Sequence, residues 1–197
     1  MEERTEGNKY LNYFKKAPAN AGFLVIIVLY FIIISLNGGT TDNVTLVRFG
    51  ALFPPFIKEY GQYYRLITPI FIHIGFMHLL FNGYALYVFG TQIERLMGFK
   101  KYIAFFLLTG ISGNILTYFL SYESISAGAS GSLFGLLGAF LYLIHRKPNM
   151  ITPEGRKSIL KLVGINVLIT VLIPNISATA HFGGLISGYL LSYIFIK

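Results

Sequence analysis

The chain has 197 residues, of which 54% are hydrophobic and 12% are charged, and its formal net charge at pH 7 is +8. Soluble globular domains contain about 25% charged residues, so this composition predicts a membrane protein. Cysteine is absent, which excludes disulfide bonds, thiolate nucleophiles and zinc–thiolate sites. The basic residues do not gather on one patch with aromatic or motif support, and we therefore expect no nucleic-acid partner.

Apolar segments that could cross a bilayer recur along the chain, and a spanning helix needs about 20 mostly apolar residues. Six candidates follow in order, at residues 21–36, 76–93, 102–120, 129–144, 159–173 and 181–196. The fourth and fifth are short, and the fourth is rich in glycine, which favours helices enclosed by protein rather than by lipid. The sequence predicts an all-α polytopic membrane protein, with a cytoplasmic tail at 1–20 and a six-helix membrane domain at 21–197.

The positions of Lys and Arg predict the orientation of these spans. Of the 16 basic residues, only Arg48, Lys58 and Arg65 lie in loops on the side opposite the N-terminal tail, all in the first loop, 37–75. The positive-inside rule then puts both termini in the cytoplasm of a multi-pass protein of the cell membrane. The first loop is too long for an ordinary connection, and its mixed apolar and aromatic residues predict a segment at the membrane interface.

Four polar side chains lie near the outer ends of predicted spans two, four and six. They are His78, Asn82, Ser130 and His181. Ionisable residues inside spans are costly, so each is a functional hypothesis by default. Because these three spans all begin on the outer side, topology alone predicts a similar depth for the four side chains. His78 and Asn82 are four residues apart and share one helix face.

Ser130 lies between glycines, in the stretch GASG at 128–131, at the predicted start of span four. A helix start presents unpaired N–H groups and the positive end of the helix dipole, which can stabilise an oxyanion. A neutral histidine can remove the serine proton, and His181 is the candidate. Glycines in span four, with Gly184 and Gly188 in span six, permit the close helix approach that a Ser–His pair requires. No Asp or Glu lies at the same depth, so we predict a dyad.

These residues resemble the motifs of the rhomboid family of intramembrane serine proteases, and the resemblance runs from about residue 21 to the C-terminus. The matching motifs are Gly128-x-Ser130-Gly131, Ala180-His181-x-x-Gly184 and His78-x-x-x-Asn82. By this resemblance Ser130 is the nucleophile and His181 is the general base. His78, Asn82 and the Ser130 backbone N–H form the oxyanion hole. The resemblance implies the minimal six-span bacterial form, which cleaves transmembrane protein substrates near the outer face of the bilayer without a cofactor.

The chain departs from the family pattern at three places. Tyr64 replaces the usual Trp before the loop-one Arg, Phe134 replaces a frequent Tyr, and the Glu-x-Arg motif lacks its spacer at 94–95. Phe134 can still stack on the His181 ring, although it cannot donate a hydrogen bond. By the same resemblance Phe134 and Gly128 belong to the oxyanion and substrate-binding site.

Each of these residues also has a plainer structural explanation. A serine between glycines in a transmembrane helix is usually a packing residue, and we expect Ser132, on another face from Ser130, to be structural. His73 is a candidate for a hydrogen-bonded structural histidine. A metal site of His73, His78 and His181 has no carboxylate or thiolate ligand, and we expect no metal.

Two other classes of protein compete with the protease. An inactive rhomboid-like membrane protein would bind or escort membrane clients, but such relatives commonly lack the serine or the histidine that this chain retains. A small transporter would show repeated halves with polar pairs at the bilayer midplane. The sequence has no internal repeat, and its polar cluster lies near one face only.

Overall fold

The computed structural model describes residues 13, 15–174 and 176–196, and the regular secondary structure of this part of the chain is helical apart from one isolated antiparallel bridge between Leu52 and Ser126. Most of the predicted tail therefore lies outside the described residues, as does the last residue of the chain. The long segment 37–75 is built from short helices and turns. Its position at a membrane interface stays a prediction.

The helices, apart from two short ones that lie in the segment 37–75, correspond in order to the predicted apolar segments. They are α1 (Pro18–Leu36), α2 (Asn43–Arg48), α3 (Pro54–Tyr60), α4 (Phe76–Ala85), α5 (Thr91–Met97), α6 (Phe99–Leu120), α7 (Ser130–Arg146), α8 (Pro153–Leu172) and α9 (Ala178–Phe195). A π-helical turn, Leu86–Gly90, joins α4 to α5, so the second segment continues as helix to Met97. Among the described helices, α1 and α6 are long and apolar enough to cross a membrane by length and composition.

The first helix is anchored by a carboxylate from another part of the chain. Glu94 in α5 is buried and accepts the backbone N–H groups of Ala19 at 2.9 Å and Asn20 at 2.7 Å. The first amides of a helix lack intrahelical partners and carry partial positive charge, so a carboxylate satisfies both needs. Asn20 in turn accepts the Tyr102 hydroxyl of α6 at 2.7 Å. These contacts connect the starts of α1 and α6 with α5.

Helix α8 differs from the prediction in its start and in its surroundings. Hydropathy placed the start at 159, whereas the helix begins at Pro153 because the Thr152 hydroxyl caps the N–H of Gly155 and proline suits the first turn. Its first turns are polar, so a hydropathy window excludes them. The expectation that protein encloses this helix is wrong, since its buried residues are Val163 and Thr170. The same expectation for α7 is confirmed, because α7 is buried along most of its length.

The central contact of the fold joins α7 to α9 through glycines. A Cβ atom at Gly184 would overlap the carbonyl oxygen of Gly131, and one at Gly188 would overlap the carbonyl oxygen of Gly135. The two backbones thus approach with no side chain between them, which confirms the predicted close packing. The contact lies within a few turns of the start of both helices. It therefore sets the distance between Ser130 and His181, which occupy those starts.

The segment between α1 and α4 is held by one buried guanidinium. Arg65 is 3% exposed and donates to the carbonyls of Val47 at 2.6 Å and Ala51 at 2.9 Å. The next residue, Leu52, exchanges two backbone hydrogen bonds with Ser126, at 2.9 and 3.0 Å. Arg65 thus holds the loop around Val47 and Ala51, and the Leu52–Ser126 bridge connects this loop to the stretch 121–129 before α7. This stretch leads directly into Ser130.

Substituting Gly188 with alanine tests the backbone contact. Gly188→Ala should lower the melting temperature in detergent, because overpacking a tight contact costs about 1–3 kcal/mol. The matched control is Gly164→Ala in α8, where an added Cβ would meet nothing within 4 Å. The control should leave the melting temperature unchanged or raise it slightly, since alanine favours a helix over glycine by about 1 kcal/mol. Equal changes of melting temperature in the two variants would contradict a tight backbone contact at Gly188.

Candidate active site

A cavity of about 990 Å³ opens between α4, α7, α8, α9 and the stretch before α7. Ser130, His181, His78 and Asn82 all line it, as does Phe134. These residues come from three separate helices, so the cavity is where the predicted polar cluster meets. Gly128 lies beside it and not in its lining.

The turn before Ser130 is fixed by hydrogen bonds at two successive amides. Gly128 has a φ of +140°, a conformation that residues with a side chain rarely adopt. Its N–H donates to the Pro69 carbonyl at 2.9 Å, and the Ala129 N–H points to His73 Nε2 at 3.4 Å. The next amide is that of Ser130, the first residue of α7. Amides of a first helical turn have no acceptor inside the helix, so they face outward with partial positive charge.

His73 supports this turn as a buried, neutral histidine. It is fully buried in the loop before α4, and burial, with a smaller contribution from nearby His78, lowers the pKa of His73 to about 3. At pH 7 the ring is therefore uncharged and keeps an acceptor nitrogen for the Ala129 amide. This contact agrees with the structural explanation of His73. Among the described residues, no three His, Cys, Asp or Glu side chains form a group that could hold a metal ion.

The His78 ring and the Ser130 hydroxyl lie on the same small space beside Gly128. Its Nδ1 accepts the Ile74 N–H at 3.4 Å, so in the neutral ring the proton lies on Nε2. A methyl group added to Gly128 would lie 2.9 Å from that Nε2 and 3.5 Å from Ser130 Oγ. His78 Nε2 and Ser130 Oγ therefore border the small space that Gly128 leaves open. A substrate oxygen in this space would meet the His78 N–H beside the start of α7.

Asn82 lies one turn beyond His78 on the same face. Its Nδ2 donates to the His78 carbonyl at 2.9 Å, and its Oδ1 is buried with no hydrogen-bond partner among the described residues. An amide nitrogen carries two protons, so one remains for a group in the cavity. A buried polar atom without a partner is uncommon in folded proteins. Asn82 thus has unused hydrogen-bonding capacity at the cavity wall.

The His181 ring is held by one stacking contact and one hydrogen bond. It lies against Phe134 with ring centroids 4.1 Å apart and an interplanar angle of 16°. Its Nδ1 lies 2.8 Å from the Thr170 hydroxyl of α8. Within the described residues no hydrogen bond joins His181 to Ser130. Hydrogen bonds between catalytic groups are often long in the absence of substrate.

Sequence reasoning missed two groups that line or border this cavity. Thr170 contacts His181, but a threonine in an apolar helix gives no signal of its own. Glu123 lines the cavity from the exposed loop before α7. The one signal for it in the sequence is its position in the loop between predicted spans three and four. Ser132, expected to be structural, donates to the Phe106 carbonyl at 2.7 Å and points away from Ser130.

Comparison with known proteins gives a consistent result. A family model of the rhomboid domain matches residues 60–197. Rhomboid protease GluP of Bacillus subtilis is 38% identical over 175 residues, which is 85% of this chain and 32% of that protein. RHOMBOID-like protein 6, mitochondrial, of Arabidopsis thaliana is 34% identical over 77% of this chain and 50% of its own length. Rhomboid-like protease 1 of Toxoplasma gondii is 31% identical over 77% of this chain and 53% of its own length.

The chain thus spans between about a third and a half of the length of these relatives. The family match covers α4 to α9, which includes the helices that carry His78, Asn82, Ser130 and His181. The all-helical architecture and the membrane-like composition agree with that match. The chain belongs to the rhomboid family of membrane proteins, a family that includes named proteases.

Proposed function

We propose that this protein is an intramembrane serine endopeptidase that cleaves transmembrane segments of membrane proteins near the outer face of the cell membrane. The observation that carries the proposal is the shared cavity of Ser130, His181, His78 and Asn82. These side chains supply a nucleophile, a base and two donors in one place. Membership of a family with named proteases supports the same reaction class.

In the proposed reaction, Ser130 Oγ attacks the substrate carbonyl while its proton passes to His181 Nε2. The carbonyl oxygen becomes an oxyanion, which the His78 and Asn82 side-chain N–H groups and the Ser130 backbone N–H stabilise. The protonated His181 then gives its proton to the leaving amine as the peptide bond breaks. Water hydrolyses the resulting acyl-enzyme by the reverse sequence of proton transfers. No step requires a cofactor or a metal ion.

The proposal includes an arrangement in the membrane. Six spans cross the bilayer, from α1 to α9, with both termini in the cytoplasm and the segment 37–75 at the outer interface. Residues 21–197 form the membrane domain, and residues 1–20 form the cytoplasmic tail. In this arrangement the cavity lies near the outer surface. A helical substrate has to unwind locally before its carbonyl reaches Ser130, so helix-breaking residues near the cut favour cleavage.

The second candidate function is an inactive rhomboid-like protein that binds or escorts membrane clients. The chain retains both the serine and the histidine, which favours the protease. Purified wild type and Ser130→Ala, each incubated in detergent with a model transmembrane substrate, separate the two. Cleavage by wild type alone supports the protease. Substrate binding without cleavage in both proteins favours the client-binding alternative.

Substitution of the dyad should show that its two members act as a unit. Ser130→Ala and His181→Ala should each lower the cleavage rate by roughly 10⁴–10⁶-fold, and the double variant should be no slower than either single one. Ser132→Ala is the matched control, since its hydroxyl bonds the Phe106 carbonyl, and it should keep most activity. Rates come from gel-resolved substrate turnover. Additive losses in the double variant would contradict a shared step.

The role of Asn82 can be separated from packing by measuring turnover and melting temperature together. Asn82→Ala should lower turnover by about 10²–10³-fold, the usual cost of one oxyanion donor. It should hardly change the melting temperature, because even polar bonds between membrane helices average only about 0.6 kcal/mol, and the bond that Asn82 makes runs within α4. Ser130 should still react slowly with a small fluorophosphonate probe. Full turnover together with a large drop in melting temperature would make Asn82 a structural residue instead.

Reporter fusions test the proposed orientation. A reporter fused after residue 197 should be cytoplasmic, and one inserted at 121–127 should be external, because basic residues are retained on the cytoplasmic side. Accessibility of the reporter to a membrane-impermeant reagent in whole cells gives the side. An external C-terminus would contradict the outward position of the cavity.

A further inference from the structure

Helix α8 places one buried polar group against the far side of His181. Thr170 is 3% exposed on a helix that is otherwise largely unburied, and Val163 is the other residue of α8 that is buried. The Thr170 Oγ1 lies 2.8 Å from His181 Nδ1, the ring nitrogen that the proposed proton transfer does not use. This contact crosses between two helices.

Only one direction of this bond lets both contacts of the Thr170 hydroxyl be hydrogen bonds at the same time. A hydroxyl has one proton to donate. Thr170 donates it to the Asn166 carbonyl at 2.8 Å, one turn back along α8. The hydroxyl oxygen is then the acceptor for His181, so the proton of the bond lies on Nδ1. A neutral ring with its proton on Nδ1 has its free lone pair on Nε2.

We propose that Thr170 is a positioning residue that holds His181 in the tautomer needed for a general base at Nε2. The inference rests on the proposed protease function and deepens it. Phe134 stacks on the ring and fixes its plane, whereas Thr170 fixes the rotation of the ring within that plane. With its proton kept on Nδ1, His181 offers only Nε2 to the serine hydroxyl. The wrong tautomer would offer an N–H to that hydroxyl and no acceptor.

The same bond persists through the proposed reaction. When Ser130 gives its proton to Nε2, His181 carries protons on both nitrogens, and Nδ1–H still points to Thr170 Oγ1. The Nε2 proton then goes to the leaving amine, and the Nδ1 proton never leaves the ring. Thr170 touches neither substrate nor reacting atoms. It acts only through His181, so its loss should change the chemical step and leave substrate binding unchanged.

Two substitutions at Thr170 and one matched control test this role. Thr170→Val keeps the shape and removes the acceptor, and kcat should fall by roughly 10–100-fold, the range known for partners that orient metal-binding histidines. KM should stay unchanged. Thr170→Ser keeps the hydroxyl and should restore most of kcat. The control is Thr109→Val in α6, a buried threonine whose hydroxyl bonds the Phe105 and Phe106 carbonyls and touches no histidine. The control should keep wild-type kcat.

A spectroscopic measurement reads the tautomer without any need for activity. NMR of wild-type protein with isotopically labelled histidine nitrogens should show the proton of His181 on Nδ1, with His181→Ala used to assign the signal. In Thr170→Val a population with the proton on Nε2 should appear. This test stands even if wild type cleaves no substrate, an outcome that would overturn the proposed protease and not the tautomer.

Four results would overturn the inference. The first is a Thr170→Val variant whose kcat equals that of the wild type. The second is a Thr170→Ser variant whose kcat is as low as that of Thr170→Val. The third is a wild-type His181 that carries its proton on Nε2, a measurement that needs no Thr170 variant to fold. A rise in KM at constant kcat would also contradict it, because Thr170 would then act on substrate binding.

Discussion

The site depends on the backbone contact between α7 and α9. Glycines at 131, 135, 184 and 188 leave no side chain between the two helices, so the carbonyls of one meet the Cα atoms of the other. In a membrane the hydrophobic effect gives helices little reason to associate, and van der Waals packing of small residues takes its place. Since Ser130 begins α7 and His181 lies in the first turn of α9, this packing also sets the distance between them.

The other site residues are held by a network of neutral groups. Buried charge is costly in a low-dielectric interior, and the described site avoids it. His181 is oriented by the Thr170 hydroxyl and the Phe134 ring, which are both uncharged. His73 holds the amide before Ser130 as an uncharged acceptor. A neutral network of this kind orients the His181 ring and the turn before Ser130 without a buried ion pair, and both bonds join different segments of the chain.

Local patterns in the sequence predicted much of this arrangement. The apolar segments predicted the order of the helices, and the four-residue spacing placed His78 and Asn82 on one face. The glycine stretch predicted both the start of α7 at Ser130 and its tight packing on α9. These features follow from short-range geometry, because helical periodicity and glycine content are read within a few turns. The ends of the helices were less well predicted, since caps such as Thr152 lie outside the apolar segment.

The sequence by itself determined the family, the helix order and the helices on which Ser130, His78 and His181 lie. Only the tertiary structure decided how each helix is rotated about its axis, and hydropathy carries no information on this when a helix is apolar on every side. The orientation of α8 leaves most of this helix exposed and places Thr170 against His181 Nδ1. The orientation of α5 likewise places Glu94 at the start of α1. Such contacts join residues that are far apart in the chain, and they exist only once the helices pack.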